Sequence, residues 1–401
     1  MIDLILKKGK ERSLLRRHPW VYDTAVGKLS GKAQSGDTVR VLSHDGRFLA
    51  WAAYSKDSTL RARCWSFCED DCIDAAWIEE KIQKALKARE SLFARTSAVR
   101  VIFGEADQLP GLVVDRYGDW YVTQFQAAGV EAFREVIADA LMKQPGIKGI
   151  FDRSDAATRH REGLAERVEV LRGPEPPQEI EVIEDGVRYG VDVRKGHKTG
   201  FYIDQRENRY LAQRLAREFR QRHGRGMRAL NCFCYTGGFS LALLAGGAEE
   251  VISVDSSADA LEMAAKNASR NGFDEKRAKW VQADVFEYLR QAREAGEVFD
   301  LVILDPPKFA SSHRHIDRAA RAYKDINLNG LRLVAPGGDL LTFSCSGAMD
   351  VDLFQKVIAG AVIDSKREAW MIARLGAGAD HPLMMTCPEG EYLKGLQLTL
   401  R

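Results

Sequence analysis

Leu301-Val302-Ile303-Leu304-Asp305-Pro306-Pro307-Lys308 is an apolar run that ends in an acid, two prolines and a lysine. Four consecutive apolar residues are typical of a strand buried on both faces of a parallel sheet. Proline cannot donate to a sheet ladder and it fixes the backbone, so the strand must end here in a stiff loop. Open α/β sheets bind their ligands at the carboxyl ends of strands, which makes Asp305 and Lys308 candidate site residues.

A second apolar run, Leu340-Leu341-Thr342-Phe343, ends in Ser344-Cys345-Ser346. If the two runs form neighbouring strands, their ends place the Cys345 thiol and the Asp305 carboxylate in one pocket. A strand-end cysteine taken alone is more often a small buried residue than a nucleophile. The pairing with an acid favours the nucleophile.

The pattern of the 401-residue chain changes twice, which predicts three domains. Residues 1–72 alternate apolar and polar positions between Gly and Asp turns, as in a small β-barrel. Residues 73–180 begin with an amphipathic helix over 75–94 and continue as a small α+β domain. Over 181–401, strands alternate with helices, which predicts a Rossmann-like α/β fold with a mostly parallel sheet.

Several elements can be located more closely. In the central part we expect a hairpin of 112–115 with 120–123, a helix near 131–142 and a strand near 149–151. In the last part we expect strands at 229–233, 251–255, 280–281, 301–304 and 340–343, and a closing hairpin of 370–375 with 395–400.

The composition excludes some classes of protein. Lys and Arg total 59 against 57 Asp and Glu, so any nucleic-acid partner must be recognised by local charge. Seven scattered cysteines predict reduced thiols, and Cys64, Cys68 and Cys72 lack the partners of a metal site, so no metal is expected. The apolar run of Met1–Leu6 is too short for a signal or a membrane span. We therefore expect a cytoplasmic protein without membrane association.

A nucleotide-like cofactor site is predicted where the strand at 229–233 runs into Tyr235-Thr236-Gly237-Gly238-Phe239. Glycines let backbone amides approach a ligand at a helix N-terminus. The next strand ends in Asp255, suited to ribose hydroxyls, and a third ends in Asp284, suited to an adenine edge. The turn has neither the GxGxxG pattern of dinucleotide enzymes nor a Gly-Lys-Ser/Thr phosphate loop.

These segments resemble the class I S-adenosylmethionine methyltransferases, and within them the PUA-domain-containing ribosomal RNA cytosine-C5 methyltransferases. The segments that carry the resemblance span the chain: Arg16–Val21, Lys195–Arg206, Asn231–Phe239, Asp305–Lys308 and Phe343–Ser346. The resemblance implies a PUA-like RNA-binding domain at 1–72, a central domain at 73–180 and a methyltransferase domain at 181–401. It also implies S-adenosylmethionine as cofactor and large-subunit ribosomal RNA as partner.

By this resemblance, Asp255 holds the ribose, Asp284 the adenine side and the Tyr235–Gly237 turn the methionine part, while Tyr202, Asp204 and Gln205 close over the cofactor. The residues expected to bind it are Tyr202, Asp204, Gln205, Asn231, Phe233, Tyr235, Thr236, Gly237, Asp255, Ser256, Asp284, Val285 and Asp305. Many relatives have Ser at the position of Cys234, so that thiol is expected to be incidental.

The chemistry of cytosine explains the need for a cysteine. Carbon 5 is a poor nucleophile until another group adds to carbon 6, and a thiolate does this well. We expect Cys345 to be the nucleophile, Asp305 to hold the base, and Lys308 to assist by stabilising a phosphate or the thiolate. Another branch of RNA cytosine methyltransferases has a second cysteine where this chain has Lys308, which leaves the base that removes the carbon 5 proton open.

Local basic charge near the N-terminus predicts RNA contact, because cations and aromatic rings together suit phosphates and stacked bases. The predicted RNA-binding residues are Lys7, Lys8, Lys10, Arg12, Arg16, Arg17 and Trp20. Further basic clusters lie at 214–228 and 314–324. Each cluster alone is more often a solvated surface.

Two other functions stay open from the sequence. One is an RNA methyltransferase acting on guanine or on a base nitrogen, which needs no covalent catalysis. The other is a non-catalytic RNA-binding assembly factor that keeps a cofactor pocket. The sequence does not decide which nucleotide is modified, whether the substrate is naked RNA or an assembly particle, or whether the chain forms a homodimer.

Overall fold

The computed structural model describes residues 1–310 and 313–401. The chain folds into two compact units, the first formed by residues 1–182, 191–203 and 379–390. The second unit comprises residues 183–190, 204–378 and 391–401. The division into three domains at residues 72 and 180 stays a prediction. Across the described ranges, no helix has the length and apolar character that crossing a membrane requires.

A six-stranded sheet occupies the N-terminal part of the first unit. Its strands are β1 (Asp3–Leu6), β2 (Trp20–Val21), β3 (Val26–Leu29), β4 (Thr38–Leu42), β5 (Phe48–Tyr54) and β6 (Ala62–Ser66), with helix α1 at Arg12–Leu15. The order is β2-β6-β5-β4-β1-β3, in which only β1 and β4 pair in parallel. Leu4, Leu6, Val39 and Val41 alternate with more exposed residues and are 0–2% exposed. The alternation predicted from the sequence therefore builds a core on one face.

A five-stranded sheet with the order β11-β10-β9-β8-β7 completes the first unit. Its elements are α2 (Ala75–Arg89), β7 (Ala98–Phe103), β8 (Leu112–Tyr117), β9 (Trp120–Phe125), α3 (Ala128–Ala132), α4 (Arg134–Met142), β10 (Gly149–Ser154), α5 (Thr158–Arg161) and β11 (Arg167–Arg172). The Asp74 side chain caps α2 by accepting the Trp77 N–H at 2.9 Å. The predicted hairpin is present as β8 and β9. The helix expected near 131–142 is interrupted at Phe133, and α2 ends in a 3₁₀ turn at 90–94.

A hairpin of β12 (Ile180–Glu184) and β13 (Val187–Val191) precedes the main part of the second unit. The elements that follow are α6 (Arg206–His223), β14 (Arg228–Cys232), α7 (Gly238–Ala245), β15 (Glu250–Asp255), α8 (Ala258–Arg270), β16 (Ala278–Gln282), α9 (Val285–Glu294), β17 (Phe299–Leu304), α10 (Ile316–Leu333), β18 (Val334–Ser344), α11 (Val351–Ser365), β19 (Ala369–Gly376) and β20 (Lys394–Leu400).

The seven-stranded sheet of the second unit has the order β16-β15-β14-β17-β18-β20-β19. Strands β14 to β18 pair in parallel, whereas β20 is antiparallel to both β18 and β19. The expected mostly parallel α/β sheet and its closing hairpin are thus confirmed. Leu301 to Leu304 of β17 are fully buried, as the apolar run predicts. The strand order reverses between β14 and β17, which is where open α/β sheets bind ligands.

Candidate active site

The register of the central strands brings the predicted catalytic residues to one edge of the sheet. Leu304 of β17 pairs with Cys232 of β14 and with Thr342 of β18. Asp305 therefore follows the end of β17, and Cys345 follows the end of its neighbour. The Cys345 Sγ lies 3.9 Å from the Pro306 carbonyl oxygen. The structure thus joins the thiol to the stiff loop that carries Asp305.

The four residues of this edge differ in accessibility. Cys345 and Asp305 are half-buried, Pro306 is buried and Lys308 is exposed. A half-buried thiol at the edge of the sheet can be reached by a base and is still partly shielded from water. Lys308 faces solvent, so any charge it contributes is weakened by water and salt.

Two side chains from distant parts of the chain hold the turn around Cys345. The Tyr323 Oη lies 2.9 Å from Ser344 Oγ and 3.1 Å from Ser346 Oγ. The Lys394 ammonium donates to the carbonyls of Ser346 at 2.9 Å and Met349 at 2.7 Å. Sequence reasoning missed both residues. A lysine in an otherwise apolar strand was the available signal for Lys394, whereas Tyr323 had none.

Burial separates Cys345 from the two competing thiols. Cys232 is 0% exposed and Cys234 is 5% exposed. Desolvation raises the pKa of both thiols far above the ordinary range, so neither ionises near neutral pH. Of the three cysteines at the carboxyl ends of the central strands, only Cys345 is accessible.

The turn between β14 and α7 has an unusual backbone. Phe233, Tyr235 and Gly237 have φ values of 60°, 48° and 82°. Non-glycine residues in the left-handed region cost about 1–3 kcal/mol each and cluster at functional sites. A Cβ on Gly237 would come within 2.9 Å of the Trp280 ring, so packing as well as backbone conformation requires glycine here. Thr236, between them, is buried.

Asp255 has the geometry of a hydroxyl acceptor. Its Oδ2 accepts the Tyr235 N–H at 2.8 Å, and its Oδ1 accepts the Ser257 N–H at 3.0 Å. These bonds fix the carboxylate at the end of β15, and each oxygen has a second acceptor site. Ser256, beside it, is exposed. The arrangement fits the two hydroxyls of a ribose.

Asp284 has a structural function besides the predicted contact with adenine. Its side chain accepts the Glu287 N–H at 3.1 Å and caps α9. The residue is exposed, and the cap uses one of its two carboxylate oxygens. Val285, the first residue of the helix, is 3% exposed and belongs to the core.

Three other predicted cofactor residues are buried in the second unit. The Asn231 amide donates to Ser240 Oγ at 2.8 Å, and its Oδ1 has no hydrogen-bond partner among residues 1–310 and 313–401. Asp204 accepts the Tyr392 hydroxyl at 2.7 Å, and Gln205 accepts the Asn208 amide at 2.6 Å. These bonds fix the backbone at the start of α6. Any cofactor contact of these residues stays a prediction.

Tyr202 belongs to the first unit. Its hydroxyl lies 3.2 Å from the His197 Nδ1, and the Lys198 ammonium lies 4.5 Å from the centre of its ring. The predicted contact of Tyr202 with the cofactor is not tested by either distance.

The predicted RNA-binding side chains differ in how firmly they are held. Lys8, Lys10, Arg12 and Arg16 are exposed, as are Lys7, whose ammonium donates to the Thr24 carbonyl, and Arg17. The Arg17 guanidinium lies over the Phe67 ring at 5.1 Å. The half-buried Trp20 donates its indole N–H to Glu105 at 2.9 Å. An RNA base that stacks on Trp20 would have to do so while the indole N–H stays bound to Glu105.

One cluster of metal-ligand types lies in the first unit. Atoms of His18, Cys387 and Glu389 lie within 4.8 Å of one another. The Trp20 N–H donates to His18 Nδ1 at 3.2 Å, so in the neutral ring Nε2 carries the proton and donates to Glu389 at 3.1 Å. Burial raises the pKa of Cys387 to about 12. His18 and Glu389 are thus held together by a hydrogen bond, and the expectation of a chain without a metal site stays a prediction.

Comparison with known proteins agrees with this geometry. Residues 103–371 match the family described as S-adenosylmethionine-dependent methyltransferase, and residues 4–67 match the PUA-like domain. Proteins named ribosomal RNA large subunit methyltransferase I from Tolumonas auensis and Vibrio parahaemolyticus are each 46% identical to this chain. The alignments cover 98% of this chain, and 97% and 98% of those two proteins. A methyltransferase solved with S-adenosylhomocysteine is 23% identical, covers 100% of both chains and has a TM-score of 0.84, which shows the shared fold.

Proposed function

Because this chain belongs to the S-adenosylmethionine-dependent methyltransferases of the ribosomal RNA large subunit methyltransferase I family, we propose that it methylates carbon 5 of a cytosine in large-subunit ribosomal RNA. The nucleophile in this proposal is Cys345. The observation that carries it is the contact of the Cys345 thiol with the Asp305-Pro306-Pro307-Lys308 loop at the carboxyl ends of β17 and β18. The names of the relatives support ribosomal RNA as the substrate.

The residues of the second unit fit the cofactor. The fixed Asp255 carboxylate suits the ribose hydroxyls, and the left-handed turn at 233–237 presents its backbone beside it. S-adenosylmethionine supplies a methyl group on a positively charged sulfur, which a carbon nucleophile can attack. The chain itself must therefore turn carbon 5 of the cytosine into that nucleophile.

In this proposal, the Cys345 thiol and the Asp305 carboxylate are the catalytic groups. The Cys345 thiolate adds to carbon 6, forming a C–S bond and placing electron density on carbon 5. Asp305 would hydrogen-bond the ring nitrogen or amino edge of the base and stabilise it during the addition. After carbon 5 gains the methyl group, its proton leaves to a base and the C–S bond breaks. The thiolate is then restored, and the proton is released to solvent.

The exposed basic residues near the N-terminus supply the proposed RNA contact. Their cations suit the phosphate backbone, which contributes most of the salt-dependent affinity for RNA. The match of residues 4–67 to the PUA-like domain supports placing this contact in the proposed domain 1–72. The target base must be unpaired or flipped from its stack to reach a thiol at the edge of the sheet.

The test is to incubate the purified full-length protein with S-adenosylmethionine labelled in its methyl group and unmodified large-subunit ribosomal RNA. The nucleosides are then identified by mass spectrometry. We expect labelled 5-methylcytidine. A methylguanosine would overturn the cytosine assignment, and cofactor binding without any RNA methylation would overturn the catalytic one.

A further inference from the structure

Lys394 is a buried lysine beside the proposed nucleophile. It is the first residue of β20, it pairs in register with Ser344 of β18, and it is 4% exposed. Removing an ammonium from water is costly unless hydrogen bonds and opposite charges compensate. A lysine buried at this position therefore requires hydrogen-bond acceptors and a balancing negative charge.

The hydrogen bonds of Lys394 run to the backbone that follows Cys345. Its Nζ donates to the carbonyls of Ser346 and Met349 at 2.9 and 2.7 Å. On the other side, Tyr323 contacts Ser344 and Ser346. The turn that presents the thiol is thus clamped from α10 by a hydroxyl and from β20 by an ammonium. Carbonyl oxygens satisfy hydrogen bonds but leave the positive charge to be balanced.

Three groups near Lys394 can carry a negative charge that balances its ammonium. Burial lowers the pKa of Lys394, the negative charges of Glu391, Cys345 and Asp350 oppose this, and Lys308 adds to it. Cys345 and Asp350 flank the Ser346–Met349 segment whose carbonyls bind the ammonium, and the Cys345 thiol also reaches the Pro306 carbonyl of the Asp305 loop. Tyr323 and Asp305 also act on this turn, and burial raises the pKa of Tyr323, so its hydroxyl stays neutral.

We propose that Lys394 is a positioning residue that stabilises the thiolate of Cys345 by its charge and fixes the thiol through the Ser346 and Met349 carbonyls. This rests on the proposed function, in which Cys345 attacks the base. A free thiol with a pKa of about 8.5 is only a few per cent ionised at neutral pH. If that pKa falls by one unit, to about 7.5, roughly a quarter of the thiols are ionised at about pH 7. A nearby cation therefore has a large effect on the nucleophile.

From the sequence, we expect Lys308 to stabilise either a phosphate or the thiolate. Lys308 is exposed, where water and salt weaken its field, whereas Lys394 is buried, where a charge acts more strongly. If Lys394 stabilises the thiolate, its substitution should change the reactivity of Cys345 with pH. If Lys308 does so, only substitution of Lys308 should.

The test measures the rate of alkylation of Cys345 by iodoacetamide as a function of pH, using the full-length protein without RNA and peptide mass spectrometry. We compare the wild type with Lys394→Met and Lys394→Gln, since Gln keeps a donor for the carbonyls but has no charge. Both substitutions should move the midpoint of the profile up by about one pH unit, a roughly tenfold slower reaction near pH 7. Lys356→Gln removes an exposed charge from α11 and is the matched control, with no shift expected.

Two outcomes would overturn the proposal. One is a Gln variant that titrates like the wild type. The other is a wild-type midpoint at or above the ordinary thiol value of about 8.5, which decides the matter even if neither variant folds. Because RNA is absent, failure of the proposed function appears separately, as a Cys345 that ionises easily in a protein that forms no 5-methylcytidine.

Discussion

At the scale of single residues, accessibility distinguishes thiols that look alike in the sequence. Cys232 is the last residue of the apolar strand β14 and Cys234 lies two residues beyond it, but both thiols are buried. A nucleophile must ionise and must be reached by its substrate, and burial denies both to the first two. Cys345 meets the second condition because the strand β18 ends before it and leaves the side chain half-buried.

We predict that Cys345→Ala lowers RNA methylation by at least about a thousandfold, because the covalent route is lost with the nucleophile. Cys234→Ser should retain activity within a few-fold, since that thiol has no part in the reaction. The measurement is transfer of labelled methyl from S-adenosylmethionine to large-subunit ribosomal RNA. Cofactor binding, measured by calorimetry, should be unchanged in the alanine variant; near-normal activity in that variant would remove Cys345 from the mechanism.

At the scale of elements, Asp284 combines a helix cap with a predicted cofactor contact. Asp284→Ala should lower the stability of the second unit by about 1 kcal/mol, because the Glu287 N–H loses its acceptor. Asp284→Asn keeps a capping oxygen and should leave thermal unfolding nearly unchanged. If the carboxylate also binds adenine, the Asn variant should still bind S-adenosylmethionine more weakly by calorimetry. Equal affinity in the Asn variant and the wild type would leave Asp284 only its cap.

The start of β17 supplies a pH-dependent prediction. Burial raises the pKa of Asp300, but the bidentate Arg225 at 2.8 Å and the Arg228 N–H outweigh it, so the net pKa is lowered. The stabilisation is therefore present above the ordinary Asp value of about 3.9 and is lost as the pH falls through the lower folded value. Arg225→Gln should reduce resistance to urea at pH 7, and this difference should shrink below about pH 4. If the difference in urea resistance between the wild type and Arg225→Gln grew on acidification, it would contradict the lowered pKa of Asp300.

Local patterns predicted the elements whose burial is regular. The apolar run at 301–304, the hairpin around Gly118 and the closing hairpin follow from periodicity and turn residues alone. Strand β11 was missed although Val168 and Val170 alternate with Arg167 and Glu169, and all four side chains are exposed in the fold. Helix α2 ended early because the last turn tightened after Arg89, which periodicity does not reveal.

In the candidate site too, some residues could be predicted from local sequence patterns and others depend on the fold. Asp305, Cys345 and Asp255 could be predicted because each lies at the carboxyl end of an apolar strand. Tyr323 and Lys394 reach the same turn from a helix and an antiparallel strand, and only the fold brings them there. The burial of Asn231, Asp204 and Gln205 also depends on tertiary packing.

At the scale of the whole molecule, we assign RNA contact to the basic residues near the N-terminus. Replacing the exposed Lys8, Lys10, Arg12 and Arg16 with Gln should weaken RNA binding and lower the slope of log affinity against log salt by about 3. Fluorescence anisotropy at several salt concentrations measures the slope. Cofactor affinity should not change.

A comparison variant separates this surface from general basic charge. Arg214, Arg217, Arg220 and Arg222 are also exposed and lie on or near the exposed side of α6 in the second unit. Their replacement with Gln removes the same number of charges. An equal loss of RNA affinity in both variants would contradict the assignment of RNA binding to the N-terminal residues.

The most direct test of the covalent mechanism uses large-subunit ribosomal RNA transcribed with 5-fluorocytidine, incubated with the protein and S-adenosylmethionine. Fluorine at carbon 5 cannot leave as a cation, so the C–S bond cannot be released after methyl transfer. We expect a protein–RNA complex that survives denaturing gels and maps to the Cys345 peptide by mass spectrometry, and that is absent from Cys345→Ala. Methylation of unmodified RNA without any trapped complex, or a complex mapped to another residue, would contradict the account.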